Sequence, residues 1–298
     1  MKQLIDVAEE KDPKLKPRLV EIANKHKAVL LTLIAPYVGR QLTPTKILSA
    51  HIGLSEEFAI ETVIDEIKAK FDEKTLLLLV NSPGGLVQSS YKVARALRKA
   101  FKKIIVFVPH IAASGGTLVA LTGNQIVMGM MSQLTPLDPQ KEDENGKTIS
   151  ASAVIDAHIF VTNFFKDKTV DDAPYTYRVL AEKFDPIDIR DAIAECSLME
   201  EYICEILEGS GYNPNRRQAV AEKLVRNFKT HGDVINIDRA KEIGLNVVPD
   251  SKYPEEWKVF REWLGCYMLK SADKHIIRFV FSENLKGCNN NDKSGEIK

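Results

Sequence analysis

The sequence predicts an α/β fold built on a parallel sheet, and three observations carry that expectation. Short continuous apolar runs at 28–35, 75–80, 104–108 and 125–129 read as strands buried on both faces. Between them lie stretches whose apolar residues recur at helical spacing. Twice, a strand hands over to a helix through a glycine pair, Gly84-Gly85 and Gly115-Gly116. Alternation of this kind closes into a parallel sheet with right-handed crossovers.

In chain order, residues 1–26 read as a charged helical lead-in and 28–35 as the first strand. Residues 36–54, which hold prolines, glycines and threonines, read as a loop. Ser55 is placed to cap a helix reaching about Phe71, with Glu56 and Glu57 in its first turn. After the strand at 75–80 and Gly85, Tyr91, Ala94, Leu97 and Phe101 recur at helical spacing, with Lys92, Arg95, Arg98 and Lys99 on the other side. A strand at 104–108, a short helix at 117–122 stopped by Gly123, and a strand at 125–129 follow. Residues 136–150 read as a polar loop. Ser150 or Ser152 then opens a helix to about Lys166, with Ala151, Val154, Ile155, Thr162 and Phe165 on one face.

Further helices are expected at 188–207 and 216–228. A loop at 231–236 leads into a short strand, followed by a short helix at 238–243 stopped by Gly244 and a strand at 245–248. Pro254 suits the first position of a helix carrying Trp257 and Trp263, and the Asn-rich residues after 282 read as a disordered tail. The expected organisation is a lead-in over 1–26, one domain over 27–282 and a tail over 283–298.

Composition narrows the function classes. The 298 residues carry 41 basic and 41 acidic side chains, so the net charge is zero, and neither nucleic acid nor an anionic membrane is indicated as partner. Cys196, Cys204, Cys266 and Cys288 show no metal-ligand spacing and no C-x-x-C pair, and read as reduced thiols of a cytosolic protein. The six histidines form no H-E-x-x-H pattern, so no metal or other cofactor is expected. The N-terminus lacks the hydrophobic core of a signal peptide, and the apolar stretch 28–38 is too short to span a bilayer. The expectation is a cytoplasmic protein, with peripheral membrane contact left open.

The chemistry is expected at the two glycine segments. In open α/β sheets, ligands bind at the carboxyl ends of strands. Asn81-Ser82-Pro83-Gly84-Gly85 and Ala112-Ala113-Ser114-Gly115-Gly116-Thr117 would therefore converge on one crevice. Glycine leaves backbone N–H groups open to a ligand, so the N–H groups of Gly85 and Gly115 are placed to meet a developing oxyanion, with the Ser114 hydroxyl beside them. The plainer readings are turn glycines and a serine that merely caps a helix. Ser114 lacks a G-x-S-x-G elbow, since Ala112 stands two before it, and no Walker lysine follows either pair.

These residues resemble a known superfamily. Val80-Asn81-Ser82-Pro83-Gly84-Gly85 is similar to the oxyanion segment of the Clp-protease and crotonase-like fold, and Ala113-Ser114-Gly115-Gly116 to its nucleophile segment. Ser132-Gln133-Leu134-Thr135-Pro136-Leu137-Asp138-Pro139-Gln140 resembles the motif after the nucleophile in the serine dehydrogenase proteinase family, a relative of signal peptide peptidase A. Thr230-His231-Gly232-Asp233 through Leu245 resembles that family's late turn, helix and strand. The resemblance implies repeated ββα units with a helical C-terminal elaboration. It implies a serine endopeptidase with Ser114 as nucleophile and the Gly85 and Gly115 N–H groups as oxyanion hole. It also implies a protein or peptide substrate, no cofactor, and assembly into a homo-oligomer.

The base is open among three residues. The Clp pattern has a histidine near the position of Leu137, and none is there. Signal peptide peptidases use a lysine kept neutral by burial, and Lys166, 52 residues after Ser114, is the favoured candidate on that model. His158 lies on the apolar stripe with Val154 and Ile155 and is expected to point inward, which also suits a core histidine. His231 has Asp233 two positions on as a candidate orienting carboxylate, or belongs to a polar turn. His110, four residues before Ser114, is expected to be structural. Two rival functions stand beside the peptidase. One is a non-catalytic scaffold that lost its base; the other is a crotonase-type acyl-CoA enzyme using the same oxyanion hole on a thioester.

Overall fold

A computed structural model describes residues 15–35, 40–43, 46–48, 50–70, 75–142, 148–169, 171–182, 184–268 and 275–281. The chain begins with α1 (Leu15–His26) and β1 (Val29–Ile34), followed by a short antiparallel hairpin, β2 (Arg40–Thr43) and β3 (Lys46–Leu48). Next come α2 (Leu54–Lys70), β4 (Thr75–Asn81), α3 (Val87–Ala100), β5 (Lys103–Val108), β6 (Ile111–Ala112), α4 (Gly115–Ala120), β7 (Gln125–Met128) and β8 (Gln133–Leu134). A second hairpin, β9 (Gln140–Glu142) and β10 (Thr148–Ser150), leads to α5 (Ala151–Phe165), α6 (Tyr175–Glu182), α7 (Pro186–Gly209), α8 (Pro214–Arg226) and α9 (Ile237–Ile243). The described chain closes with β11 (Val247–Pro249), α10 (Pro254–Met268) and β12 (Phe279–Val280).

Six strands form the main sheet in the order β11-β7-β5-β4-β1-β12. All neighbours pair in parallel except β12, which runs antiparallel on β1. The alternation of side chains along each strand sorts the apolar runs between two cores. Leu31, Leu33, Leu76, Leu78, Val80, Ile104, Val106 and Val108 face one core with α2, α3, α7 and α8. Leu30, Leu77, Leu79, Ile105, Phe107 and Val127 face the other, with α1 and α10. A strand covered on both sides has no polar face to show, which is why its sequence is an uninterrupted apolar run. On the second face Phe107 meets Phe260 edge-on, ring centroids 4.5 Å apart.

Beyond the carboxyl ends of these strands lies a second, smaller tier. It consists of isolated bridges pairing Ile52 with Gly85, Ser82 with Ala112 and Leu134 with Ile235, together with the parallel pair β6–β8. Two of the long strands thus continue into a short one before their helices, β4 to Ser82 to α3 and β5 to β6 to α4. These are the repeated ββα units the resemblance implied.

Several local expectations change. The 36–54 loop contains the β2–β3 hairpin and the Ile52 bridge. Ser55 lies inside α2 rather than capping it. The N-terminus is held instead by Glu56, whose Oε2 accepts the Gly53 N–H at 2.9 Å, a reach-back from the third helical position. The described residues of the 136–150 segment do not form a solvated loop: Leu137 and Asp138 are buried, and β9 and β10 follow them. Of the two serines before α5, Ser150 is the cap, its Oγ accepting from Ala153 N. Val161, not Thr162, is the buried residue of that helix's last turns. Helix α6 and strand β12 were not foreseen. Residues 1–14 of the lead-in and the tail after 281 lie outside the described residues.

Candidate active site

The site grows out of two crossings from strand to helix. After β4 the chain turns through Gly84 at φ +101°, a conformation open to glycine. A Cβ there would stand 2.6 Å from Ala113 O and 2.8 Å from Ser114 Cβ, so the two glycine segments are in direct contact. Gly85 runs against Ile52, which would lie 2.3 Å from any added Cβ. Backbone hydrogen bonds clamp the loop: Ile52 N donates to Gly84 O at 2.8 Å, Leu86 N to Ile52 O at 2.9 Å, and Ala113 N to Ser82 O at 2.9 Å.

After β6 the chain turns at Ser114, with φ +48° and ψ −123°. Among the described residues only Lys27 and Ser114 are non-glycines with positive φ. Such a conformation costs on the order of 1–3 kcal/mol and needs surroundings that enforce it. They do so here: Thr135 Oγ1 accepts the Ser114 N–H at 2.7 Å, and Thr117 Oγ1 ties Ala112 O and Thr135 O together at 2.7 and 3.0 Å. The Ser114 hydroxyl makes no capping bond to α4. The capping explanation therefore fails, and the turn has the geometry of a nucleophile elbow although its sequence lacks the usual glycine at position 112. Among the described residues neither Gly85 N nor Gly115 N donates to a protein acceptor. The two glycines sit close together, since a Cβ on Gly115 would stand 3.3 Å from Gly85 N.

A cavity of about 320 Å³ opens beside these residues. Gly85, Ser114 and Gly115 line it, with Leu118, Leu137, Leu198 and Met199 supplying apolar wall and Asp138 and His231 a polar one. His231 Nδ1 lies 2.7 Å from Asp138 Oδ1. The Asp138 side chain is 6 % exposed and that of His231 is 31 %. Gln140 Nε2 donates to the other Asp138 oxygen at 2.7 Å, fixing the carboxylate from its far side. The bridge between Leu134 and Ile235 brings the two distant segments together.

Not every candidate arrives here. Lys166 stands exposed at the C-terminal end of α5 and is not among the residues lining the cavity. His158 is also outside it, packed edge-on against Phe184 and 3.4 Å from Thr162 Oγ1. Asp233 does not orient His231: it accepts from Lys229 N and Thr230 Oγ1 and so ties its own turn. The partner of His231 was missed because Asp138 lies 93 residues away in sequence. The signal available was the 132–140 segment, where the Clp pattern has a histidine and this chain offers a carboxylate. Among the described residues no group of three metal-ligand side chains occurs, and no helix is long and apolar enough to cross a membrane.

A serine on a strained strand-to-helix turn, sharing a cavity with a histidine–carboxylate pair, is equipment of the serine hydrolase class. Comparison with known families narrows the class. The model of the ClpP-like SDH-type serine proteinases matches residues 50–293, and the chain belongs to that family. Two uncharacterised proteins of Methanocaldococcus jannaschii are similar to it. One is 28% identical over 187 residues, covering 63% of this chain and 56% of the relative; the other is 27% identical over 238 residues, covering 80% and 74%. The chain therefore spans little more than half the length of the first. Among solved structures it is similar to the 1510-N membrane-bound stomatin-specific protease. The serine-to-alanine mutant of that protease gives a TM-score of 0.45 at 16% identity, covering 70% of this chain and 80% of that one. A lysine-to-alanine mutant in complex with a substrate peptide gives 0.42 at 18% identity, covering 67% and 71%.

Proposed function

We propose that this chain is a serine endopeptidase in which Ser114 is the nucleophile, His231 the general base, and Asp138 the carboxylate that orients it. The N–H groups of Gly85 and Gly115 form the oxyanion hole. The observation that carries the reading is the pairing of His231 with buried Asp138 on the wall of the cavity that holds Ser114. Lys166 receives no role, because a lysine base is kept neutral by burial and this one is exposed.

The steps follow from that assignment. A peptide carbonyl enters between Ser114 and the two glycine N–H groups. Ser114 Oγ attacks, and its proton passes to His231 Nε2, the ring nitrogen not engaged by Asp138. The imidazolium so formed is stabilised by Asp138, which stays ionised. The tetrahedral oxyanion accepts from Gly85 N and Gly115 N, each such donor being worth roughly 3–4 kcal/mol in the transition state. His231 returns the proton to the departing amine, leaving an acyl-enzyme on Ser114, and water repeats the sequence to release the acid. No step calls for a cofactor.

The substrate in this reading is a protein or peptide with an apolar side chain against Leu118, Leu137, Leu198 and Met199. Residues 27–282 act as one catalytic unit, and the chain assembles as a homo-oligomer. A phosphonofluoridate probe tests the core of the proposal. Mass spectrometry is expected to find one adduct, on Ser114, formed much more slowly in His231→Ala. Labelling elsewhere, or an unchanged rate in that variant, would remove the assignment. Tight coenzyme A binding without any labelling would favour an acyl-CoA enzyme instead.

A further inference from the structure

Beneath the Gly84–Gly85 loop runs a second polar chain, which the proposed mechanism does not use. Ser82 Oγ lies 2.8 Å from His275 Nε2. His275 Nδ1 faces Glu56 Oε1 at 3.6 Å, long for a hydrogen bond, and His275 N donates to the same oxygen at 3.3 Å. Glu56 Oε2 accepts from Gly53 N and Ser55 Oγ, both at 2.9 Å. The His275 side chain is 0 % exposed, Ser82 is 0 % and Glu56 is 2 %. No substrate reaches these groups, so they form no second active site.

Together they link the Gly84 loop to Glu56. Gly84 N–H donates to Ser82 Oγ at 3.1 Å. The Ser82 hydroxyl and His275 Nε2 share the next bond, and the other ring nitrogen faces the Glu56 carboxylate. The other arm closes the ring. Gly84 O accepts from Ile52 N at 2.8 Å, and the next residue, Gly53, is anchored on Glu56. Both polar groups of Gly84 are thus held by arms that meet at Glu56. Gly84 C=O and Gly85 N–H belong to one planar trans peptide, so a fixed carbonyl fixes the N–H to point the opposite way, away from Ile52. An apolar trio would fill this volume without the desolvation cost of buried ionisable groups. What the polar trio adds is direction.

We infer that Glu56, His275 and Ser82 are positioning residues that hold the Gly85 N–H where an oxyanion would accept from it. The inference rests on the proposed role of Gly85 in the oxyanion hole.

The test compares His275→Leu, which removes both hydrogen-bonding roles, with His275→Gln, which keeps one donor and one acceptor, and with Ser82→Ala. All are assayed on one fluorogenic peptide cleaved by the wild type, beside Ser114→Ala. Folding is checked by circular dichroism. In His275→Leu and Ser82→Ala, kcat is expected to fall on the order of 10–100-fold with KM nearly unchanged, because a displaced donor weakens the transition state more than the ground state. His275→Gln recovers part of the loss. Affinity for a peptide aldehyde of the same sequence, which forms a tetrahedral adduct, falls in step with kcat, while affinity for the matching peptide alcohol does not. A folded His275→Leu with wild-type kcat, or a rise in KM alone, would overturn the inference and leave the serine mechanism standing. If His275→Leu does not fold, Ser82→Ala and His275→Gln decide by the same criteria. Full activity in Ser114→Ala would overturn the serine mechanism and this inference with it.

Discussion

His231 Nδ1 lies 2.7 Å from Asp138 Oδ1, and Gln140 Nε2 holds the second oxygen of that carboxylate at the same distance. The ring is thus oriented by a carboxylate that is itself fixed. Asp138→Asn keeps the shape but offers the ring an amide, which favours the wrong tautomer. Steady-state kinetics on a peptide substrate are expected to show kcat reduced by roughly 100- to 10,000-fold with KM little changed. An effect below about threefold would mean that the pair is structural.

Thr135 supports the Ser114 turn from behind. Its Oγ1 is the acceptor for the Ser114 N–H. Thr135→Val keeps the volume and leaves that donor unmatched, at a cost of about 1–3 kcal/mol. Urea unfolding is expected to show the loss, accompanied by slower turnover, and Thr135→Ser should restore most of both.

Gly84 is a position where a single methyl group should disable the site. At φ +101°, with Ala113 O and Ser114 Cβ under 3 Å from an added Cβ, Gly84→Ala meets both backbone strain and collision. A stability loss of about 1–3 kcal/mol or more and loss of Ser114 labelling are expected together. Wild-type labelling in this variant would show that the two loops are not held in contact.

Acid stability tests the buried network separately from catalysis. Burial alone would push the Glu56 carboxyl up, but the His275 imidazole beside it and hydrogen bonds from Gly53 N and Ser55 overcome it and hold the pKa at about 2. A carboxyl lowered in the folded state contributes stability that is fully present above its unfolded value near 4.5 and is lost as pH falls from there toward about 2. The linked contribution is roughly 3 kcal/mol. Urea midpoints measured between pH 7 and pH 3 should fall on the acid side, and Glu56→Gln should flatten that limb while starting from lower stability. Parallel curves for the two proteins would show that Glu56 does not carry the linkage.

What could be read in the sequence follows a physical division. The apolar runs of β1, β4, β5 and β7 were legible because strands covered on both faces cannot carry a polar period, and Tyr91, Ala94 and Leu97 declared the face of α3. The two-residue strands β6 and β8 were too short for any period, so the second tier came only from the resemblance. The sharp turns at Gly84 and Ser114 and the close approach of Gly85 and Gly115 were legible because such geometry restricts residue choice locally. The base was not. Lys166 matched a separation along the chain, but the ring held by Asp138 depends on the Leu134–Ile235 bridge, which joins segments whose proximity no local pattern encodes. The same holds for Ser82 and His275, 193 residues apart.

The most direct measurement is hydrolysis of casein and a fluorogenic peptide pool by wild type, Ser114→Ala, His231→Ala and Lys166→Ala, purified side by side and checked for fold by circular dichroism. The account predicts cleavage by wild type and Lys166→Ala at similar rates, and its loss in the other two. Undiminished cleavage by Ser114→Ala would contradict the account at its centre. Loss of activity in Lys166→Ala with His231→Ala unaffected would return the base to the lysine.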